Sequence, residues 1–234
     1  MFPLKSDLPS RTPPLVTMML IIVNVIVFLY QLSLHFGAGA MGSRAGEEFV
    51  LEFGLVPCRL TGACTAPADL LHPSLTVFSS MFVHGGILHI AGNMLYLWIF
   101  GSNVEDTLGH ARFFVFYLSS GFVAALAQTA SHPESSVPMV GASGAVAGVL
   151  GAYLFLFPHA TILTLLVIGF FIRLVHMPVM VVLGFWFVVQ FLNGLLERSM
   201  GAGTGGVAWF AHIGGFLAGM VLLFLLRPRR KARL

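Results

Sequence analysis

The sequence predicts an all-α membrane protein, a bundle of six transmembrane helices, on three observations. Of its 234 residues 57% are hydrophobic and only 9% charged, with a mean hydropathy of +0.92. That composition belongs to a polytopic membrane protein rather than a soluble domain. Apolar stretches close to the roughly 20 residues that a bilayer crossing requires recur along the whole chain. The basic residues, finally, divide unevenly between the two sides that six crossings would create.

Taken in order, spans are expected at residues 15–36, 87–103, 113–130, 140–157, 177–196 and 207–226. The first is too long for a signal-peptide core and no small-residue cleavage site follows it, so it should remain as a signal anchor. The connection 37–75 is the one long loop, rich in Gly and Pro and carrying Glu47, Glu48, Glu52 and Asp69. It is too short for an independent domain, so residues 1–234 read as a single membrane domain. Both cysteines, Cys58 and Cys64, lie in it, either bridged in an oxidising outer compartment or as two unpaired thiols. Two cysteines without a histidine at ligand spacing do not make a zinc site, and neither metal nor cofactor is expected. The second and fourth spans are short and polar at their outer ends, as helices around a site would be.

A seventh apolar run, 161–172, lies between Pro158 and Pro178. It is too short to cross and reads as interfacial or re-entrant. Counting it as a span would place the basic tail outside and His212 on the opposite face from Ser143. With six spans both termini share one side. Lys5, Arg11, Arg112, Arg173, Arg227, Arg229, Arg230, Lys231 and Arg233 then lie together, and only Arg44, Arg59 and Arg198 lie opposite. Such asymmetry puts both termini in the cytoplasm and makes 227–234 a cytoplasmic basic tail. The net charge of +3 is then an orientation signal in a protein whose partner is the lipid bilayer. A tail that abuts a span does not suggest nucleic acid.

Polar side chains inside a bilayer are expensive, and their default reading is functional. Spans two, four and six run in the same direction, and each has such groups within its first few residues. His89, Ser143 and His212 therefore sit at one depth, roughly 5–10 Å below the outer edge of their helices. Ser143 stands in Gly141-Ala142-Ser143-Gly144 at a helix start, where free amides face a developing oxyanion. The bland alternative is a packing serine on the small face Gly144-x3-Gly148. His212 precedes Gly215 and Gly219, which could press against that face and bring the imidazole to Ser143 as nucleophile and base; alternatively it bonds a neighbouring carbonyl. His89 and Asn93, spaced i, i+4, share a face and supply two donors for an oxyanion hole, or they bridge polar loops. His84 reads as a loop or supporting group.

No acidic residue falls inside a span near the outer surface, so a Ser-His-Asp triad is not available and packing must orient the histidine. Glu105, in Gly101-x3-Glu105-x3-Gly109, reads as structural, bonded to loop backbone or paired with Arg112. Gln190 and Asn193 read as helix–helix hydrogen-bonding residues.

In this order, His89-x3-Asn93, Gly141-Ala142-Ser143-Gly144 and Ala211-His212-x2-Gly215-x3-Gly219, together with the Glu105 motif, resemble the rhomboid family of intramembrane serine proteases. The resemblance covers essentially the whole chain and implies a six-helix rhomboid-like bundle. It implies Ser143 as nucleophile, His212 as general base, and His89 and Asn93 with the Ser143 amide as oxyanion stabilisers. One position departs from the family's pattern: Ala147 stands where many members stack an aromatic residue on the histidine. The small form, without an added cytoplasmic domain, looks most like a bacterial member of the inner membrane. The expected substrates are single-span membrane proteins cut near the outer end of their helix. A catalytically silent member that binds and routes membrane clients is the alternative. A channel would spread its polar residues across the membrane instead of gathering them near one face.

Overall fold

The computed structural model describes residues 2–36, 40–65, 70–200 and 206–228. Asp69 and the tail residues Arg229, Arg230, Lys231 and Arg233 lie outside them. In chain order the elements are β1 (Phe2–Ser6), α1 (Leu15–Phe36), α2 (Ala40–Phe53), α3 (Pro57–Thr61) and α4 (Pro73–Ser79). Next come α5 (Ile87–Tyr96), a π-helical turn (Leu97–Gly101), α6 (Ser102–Leu108), α7 (His110–Ser131) and α8 (Ser143–Leu156). The strands β2 (Thr161–Ile168) and β3 (Phe171–Pro178) and the helices α9 (Val179–Met200) and α10 (Trp209–Leu226) complete the chain.

Among the described residues five helices are long and apolar enough to cross a membrane: Leu15–Phe36, Ile87–Leu108, His110–Ser131, Val179–Ser199 and Trp209–Leu226. The second of these is α5, the π turn and α6 run together, so it extends beyond the expected 103. The sixth, α8, has 14 residues. At 1.5 Å per residue it is about 21 Å long, short of the ~30 Å hydrocarbon core. It can be short because it is central: every residue from Gly144 to Tyr153 is buried. The outer helices show the opposite pattern, exposing Ile22, Ile26 and Leu29 on α1, Phe185, Val188 and Leu192 on α9, and Val221, Phe224 and Leu225 on α10. Apolar surface on that scale belongs against lipid.

Small residues let α8 and α10 touch through their backbones. A Cβ on Gly215 would meet the carbonyl oxygen of Gly144, and one on Gly219 that of Gly148. The expected glycine seam is thus present, and it holds the serine-bearing helix against the histidine-bearing one.

The connection expected as an irregular loop is largely helical. Arg44 and Glu48, four apart on α2, form an ion pair at 3.1 Å, and Phe49 meets both Phe53 and Tyr30 of α1. The helix is thus supported by a local ion pair and by aromatic packing against α1. Arg59 donates to the carbonyls of Leu51 and Leu71, and Cys58 is disulfide-bonded to Cys64, so α2, α3 and α4 are tied together. Leu55 pairs with Met139, which connects this assembly to the segment leading into α8.

At the other end of α8 the bundle carries a three-stranded antiparallel sheet in the order β1-β2-β3, an addition to the all-helical expectation. The 161–172 run, expected to be too short to cross, forms the strand β2 and the turn into β3. Its β-branched content fits a pleated surface, with Ile162 and Thr164 buried. Asp7 accepts from the Thr161 amide and hydroxyl, and Ser6 Oγ meets Tyr153 Oη at 2.6 Å, so the N-terminus is sewn to this end.

Glu105 is structural, as expected, though its partner differs. Its carboxylate accepts from the Val16 amide (2.8 Å) and from the Thr17 amide (2.8 Å) and hydroxyl (2.7 Å) at the start of α1. His110 Nδ1, rather than Arg112, lies 2.6 Å away. A buried carboxylate against free amides at a helix N-terminus is favoured by both hydrogen bonding and the helix dipole.

Candidate active site

Gly141, two residues before α8, has φ +120°, a backbone region that side chains avoid. Its amide donates to Ser80 O at 2.9 Å, and the Ala142 amide to His84 Nε2 at 3.5 Å. The chain then turns into α8, whose first i→i−4 bond is Val146 N to Ala142 O. Ser143 is the first residue of that helix, so its amide and that of Gly144 have no intrahelical acceptor.

His212 is in the first turn of α10, facing Ser143 across the glycine seam. Its Nε2 lies 2.9 Å from Ser143 Oγ. Two segments 69 residues apart in sequence therefore meet as the sequence led one to expect. On the ring's other side Nδ1 lies 2.7 Å from Gln190 Oε1. Gln190 is buried on α9 and its Nε2 donates to Trp186 O at 3.3 Å. The expected helix–helix bond thus exists for Gln190, whereas Asn193 donates only to Val189 O within its own helix.

His89 and Asn93 of α5 share one face and flank the same spot. The Gly85 amide donates to His89 Nδ1 at 3.3 Å, which leaves the ring proton on Nε2. His89 Nε2 stands 2.7 Å, and Asn93 Nδ2 3.6 Å, from where a Gly141 Cβ would be. Asn93 is only 7% exposed and its Nδ2 has no hydrogen-bond partner among the described residues. An unpaired buried donor costs free energy unless something else uses it. Both donors lie beside Gly141, two residues before Ser143, and both residues line the cavity that Ser143 lines. His84 packs edge-on to His89 with ring centroids 5.2 Å apart, in the supporting position expected of it. Burial, and secondarily the nearby His89, push its pKa down to about 4, so it is a neutral acceptor for the Ala142 amide.

Two features correct the sequence reading. The helix α9 continues past residue 196, so Glu197 lies inside it and lines the same cavity, with Oε2 buried and without a partner. An acidic residue does reach the outer end of a span, although it makes no bond to His212. The aromatic absent at Ala147 is replaced from other helices: Trp186 and Trp209 place their ring centroids 5.8 and 6.3 Å from that of His212. Trp209 stands three residues before His212 on α10, a spacing that makes them neighbours, whereas the Trp186 contact depends on how α9 and α10 seat against each other. The cavity, about 700 Å³, is lined by Ser143, His212, His89, Asn93, Trp186 and Glu197 among others.

A hydroxyl against a bare imidazole nitrogen, with donors aimed beside it, is equipped for acyl transfer. Comparison with known proteins places the chain in a family. The Rhomboid domain model matches residues 73–229, more than half of the chain. The chain is 32% identical over 160 residues to the mitochondrial Rhomboid protein 1 of Saccharomyces cerevisiae, covering 65% of this chain and 42% of that one. It is 33% identical over 156 residues to the Rhomboid protease GluP of Bacillus subtilis, covering 64% and 30%. With the Putative rhomboid protease YdcA of the same bacterium it shares 27% identity over 158 residues, covering 67% and 69%. The chain thus matches less than half the length of the first two. The apolar helices, the half-buried serine–histidine pair and the matched domain lead to one assignment: this chain is an integral membrane protein of the rhomboid family.

Proposed function

We propose that the chain is an intramembrane serine endopeptidase working through a Ser143–His212 dyad. The observation that carries the proposal is the 2.9 Å contact of Ser143 Oγ with His212 Nε2, at the level where the unpaired Asn93 Nδ2 and the His89 Nε2 donor converge. His212 Nε2 takes the hydroxyl proton as Ser143 Oγ attacks the scissile carbonyl. The negative charge on the carbonyl oxygen is met by His89, Asn93 and the Ser143 amide. The imidazolium then returns its proton to the leaving amine, and water, deprotonated by His212, releases the acyl group and regenerates the hydroxyl.

The substrates are single-span membrane proteins. A helix engages its own carbonyls in i→i−4 bonds, so it must unwind locally before attack, at a cost of several kcal/mol per unpaired group in hydrocarbon. A short central helix recesses Ser143 only part-way, and water entering the cavity can reach the freed groups. The residue before the cut is small, because Gly141 and Gly144 leave little room, and helix-weakening residues follow it.

The serine end faces the outside, with both termini cytoplasmic, as in a bacterial inner membrane. Two observations support this orientation. The Cys58–Cys64 bond lies on the serine side, as an oxidising compartment permits. Lys5, Arg11, Arg112 and Arg173 lie at the opposite end. Cleavage of a single-span substrate by the protein in liposomes is the test. Ser143→Ala and His212→Ala should each abolish it, and the double variant should be no worse than either. Normal turnover by either single variant rules the mechanism out.

A further inference from the structure

Resting on that reading, we propose that Gln190 is the third, neutral member of the site, a positioning residue that holds His212 in the tautomer able to deprotonate Ser143. A carboxylate that orients the histidine from behind is missing: the described acidic residue nearest the site, Glu197, makes no bond to the ring. Gln190 occupies the position such a carboxylate would take. Its orientation follows from its own partners. The carboxamide nitrogen donates to Trp186 O, so the oxygen is turned to the imidazole. A carboxamide oxygen only accepts. Nδ1 must therefore carry the ring hydrogen, and Nε2 presents its lone pair to the Ser143 hydroxyl. The reverse tautomer would set the Nε2 hydrogen against the hydroxyl and leave Nδ1 facing Gln190 Oε1 lone pair to lone pair.

Gln190 is only 6% exposed, so its carboxamide is shielded from competing solvent acceptors. The same bond strengthens as the ring becomes charged, so it assists proton transfer as well as orientation. Trp186, one turn from Gln190, faces the ring as well. One segment of α9 therefore supplies both an aromatic contact, tilted at 37°, and the acceptor for His212.

The test compares wild type, Gln190→Leu and Gln190→Glu in proteoliposomes with a single-span substrate, alongside ¹⁵N spectra of His212. Leucine fills the space without an acceptor and should lower kcat by roughly 10- to 100-fold with KM little changed. Glutamate keeps an acceptor oxygen at the same reach and should recover most of that loss. In wild type the hydrogen should be found on Nδ1, and in Gln190→Leu the two tautomers should mix. Wild-type kcat in a folded Gln190→Leu, or a wild-type ring protonated on Nε2, overturns the role of Gln190 and leaves the protease reading standing. A wild-type protein that cleaves nothing overturns that reading instead. The wild-type spectrum decides the matter even where the leucine variant fails to fold.

Discussion

Gly215→Ala adds one methyl group, one turn along α10 from His212, and should disable the site without touching a reacting atom. The new Cβ would fall on the Gly144 carbonyl oxygen, far inside the 3.4 Å at which ordinary contact begins, with Ala124 Cβ also close at 3.3 Å. Backbone cannot yield as a side chain tip can, so α10 must move away from α8 by about 1 Å. The contact between His212 Nε2 and Ser143 Oγ, 2.9 Å in the native packing, is then stretched beyond hydrogen-bonding reach. A displacement of that size costs about 10²-fold in rate, and the overpacking itself about 1–3 kcal/mol of stability. Gly184→Ala on α9 is the control, because nothing lies within 4 Å of its Cβ position. Turnover of a fluorogenic single-span substrate in liposomes and thermal melting in detergent read the two effects separately. A folded Gly215→Ala protein with turnover within about twofold of wild type would refute the backbone-contact account.

Removing either oxyanion donor, by His89→Ala or Asn93→Ala, should lower kcat by about 10²–10³-fold; neutral kinetics for both would remove them from the mechanism. Glu105→Ala leaves the Val16 amide and the Thr17 amide and hydroxyl without their acceptor. Melting should show a loss of about 3–5 kcal/mol, while the protein that remains folded keeps its specific activity; an unchanged melting temperature contradicts the capping role. With Cys58 and Cys64 replaced, an impermeant thiol reagent should label Glu134→Cys from outside and Arg227→Cys only after lysis, and the converse result inverts the orientation.

The four residues that meet at the candidate site were legible in the sequence because a membrane makes polar groups conspicuous. Ser143, His212, His89 and Asn93 each interrupt an apolar run near the same end of a helix, and helix rise alone puts them at one depth. The glycine seam was legible for a similar reason, since small residues four apart mark a face. Gln190 was visible as polar but not as the partner of His212, because that bond depends on the rotation of α9 against α10. Glu197 escaped because apolar content marks where a span leaves hydrocarbon, whereas the hydrogen-bonded helix runs on to Met200. The helices of 40–79 and the β2–β3 hairpin were missed where composition and local spacing disagreed. In the first, aromatic packing of Phe49 against Tyr30 of α1 supports the helix, and in the second the β-branched content of 161–168 suits a strand.

If Ser143 is a nucleophile activated by His212, a serine-directed fluorophosphonate probe should modify it. Purified protein in detergent is treated with the probe and the modified residue is identified by peptide mass spectrometry. The account predicts labelling at Ser143 in the wild type, none in Ser143→Ala, and a loss of at least about 10²-fold in labelling rate in a folded His212→Ala. Labelling at another residue, or a rate at Ser143 indifferent to His212, would contradict it.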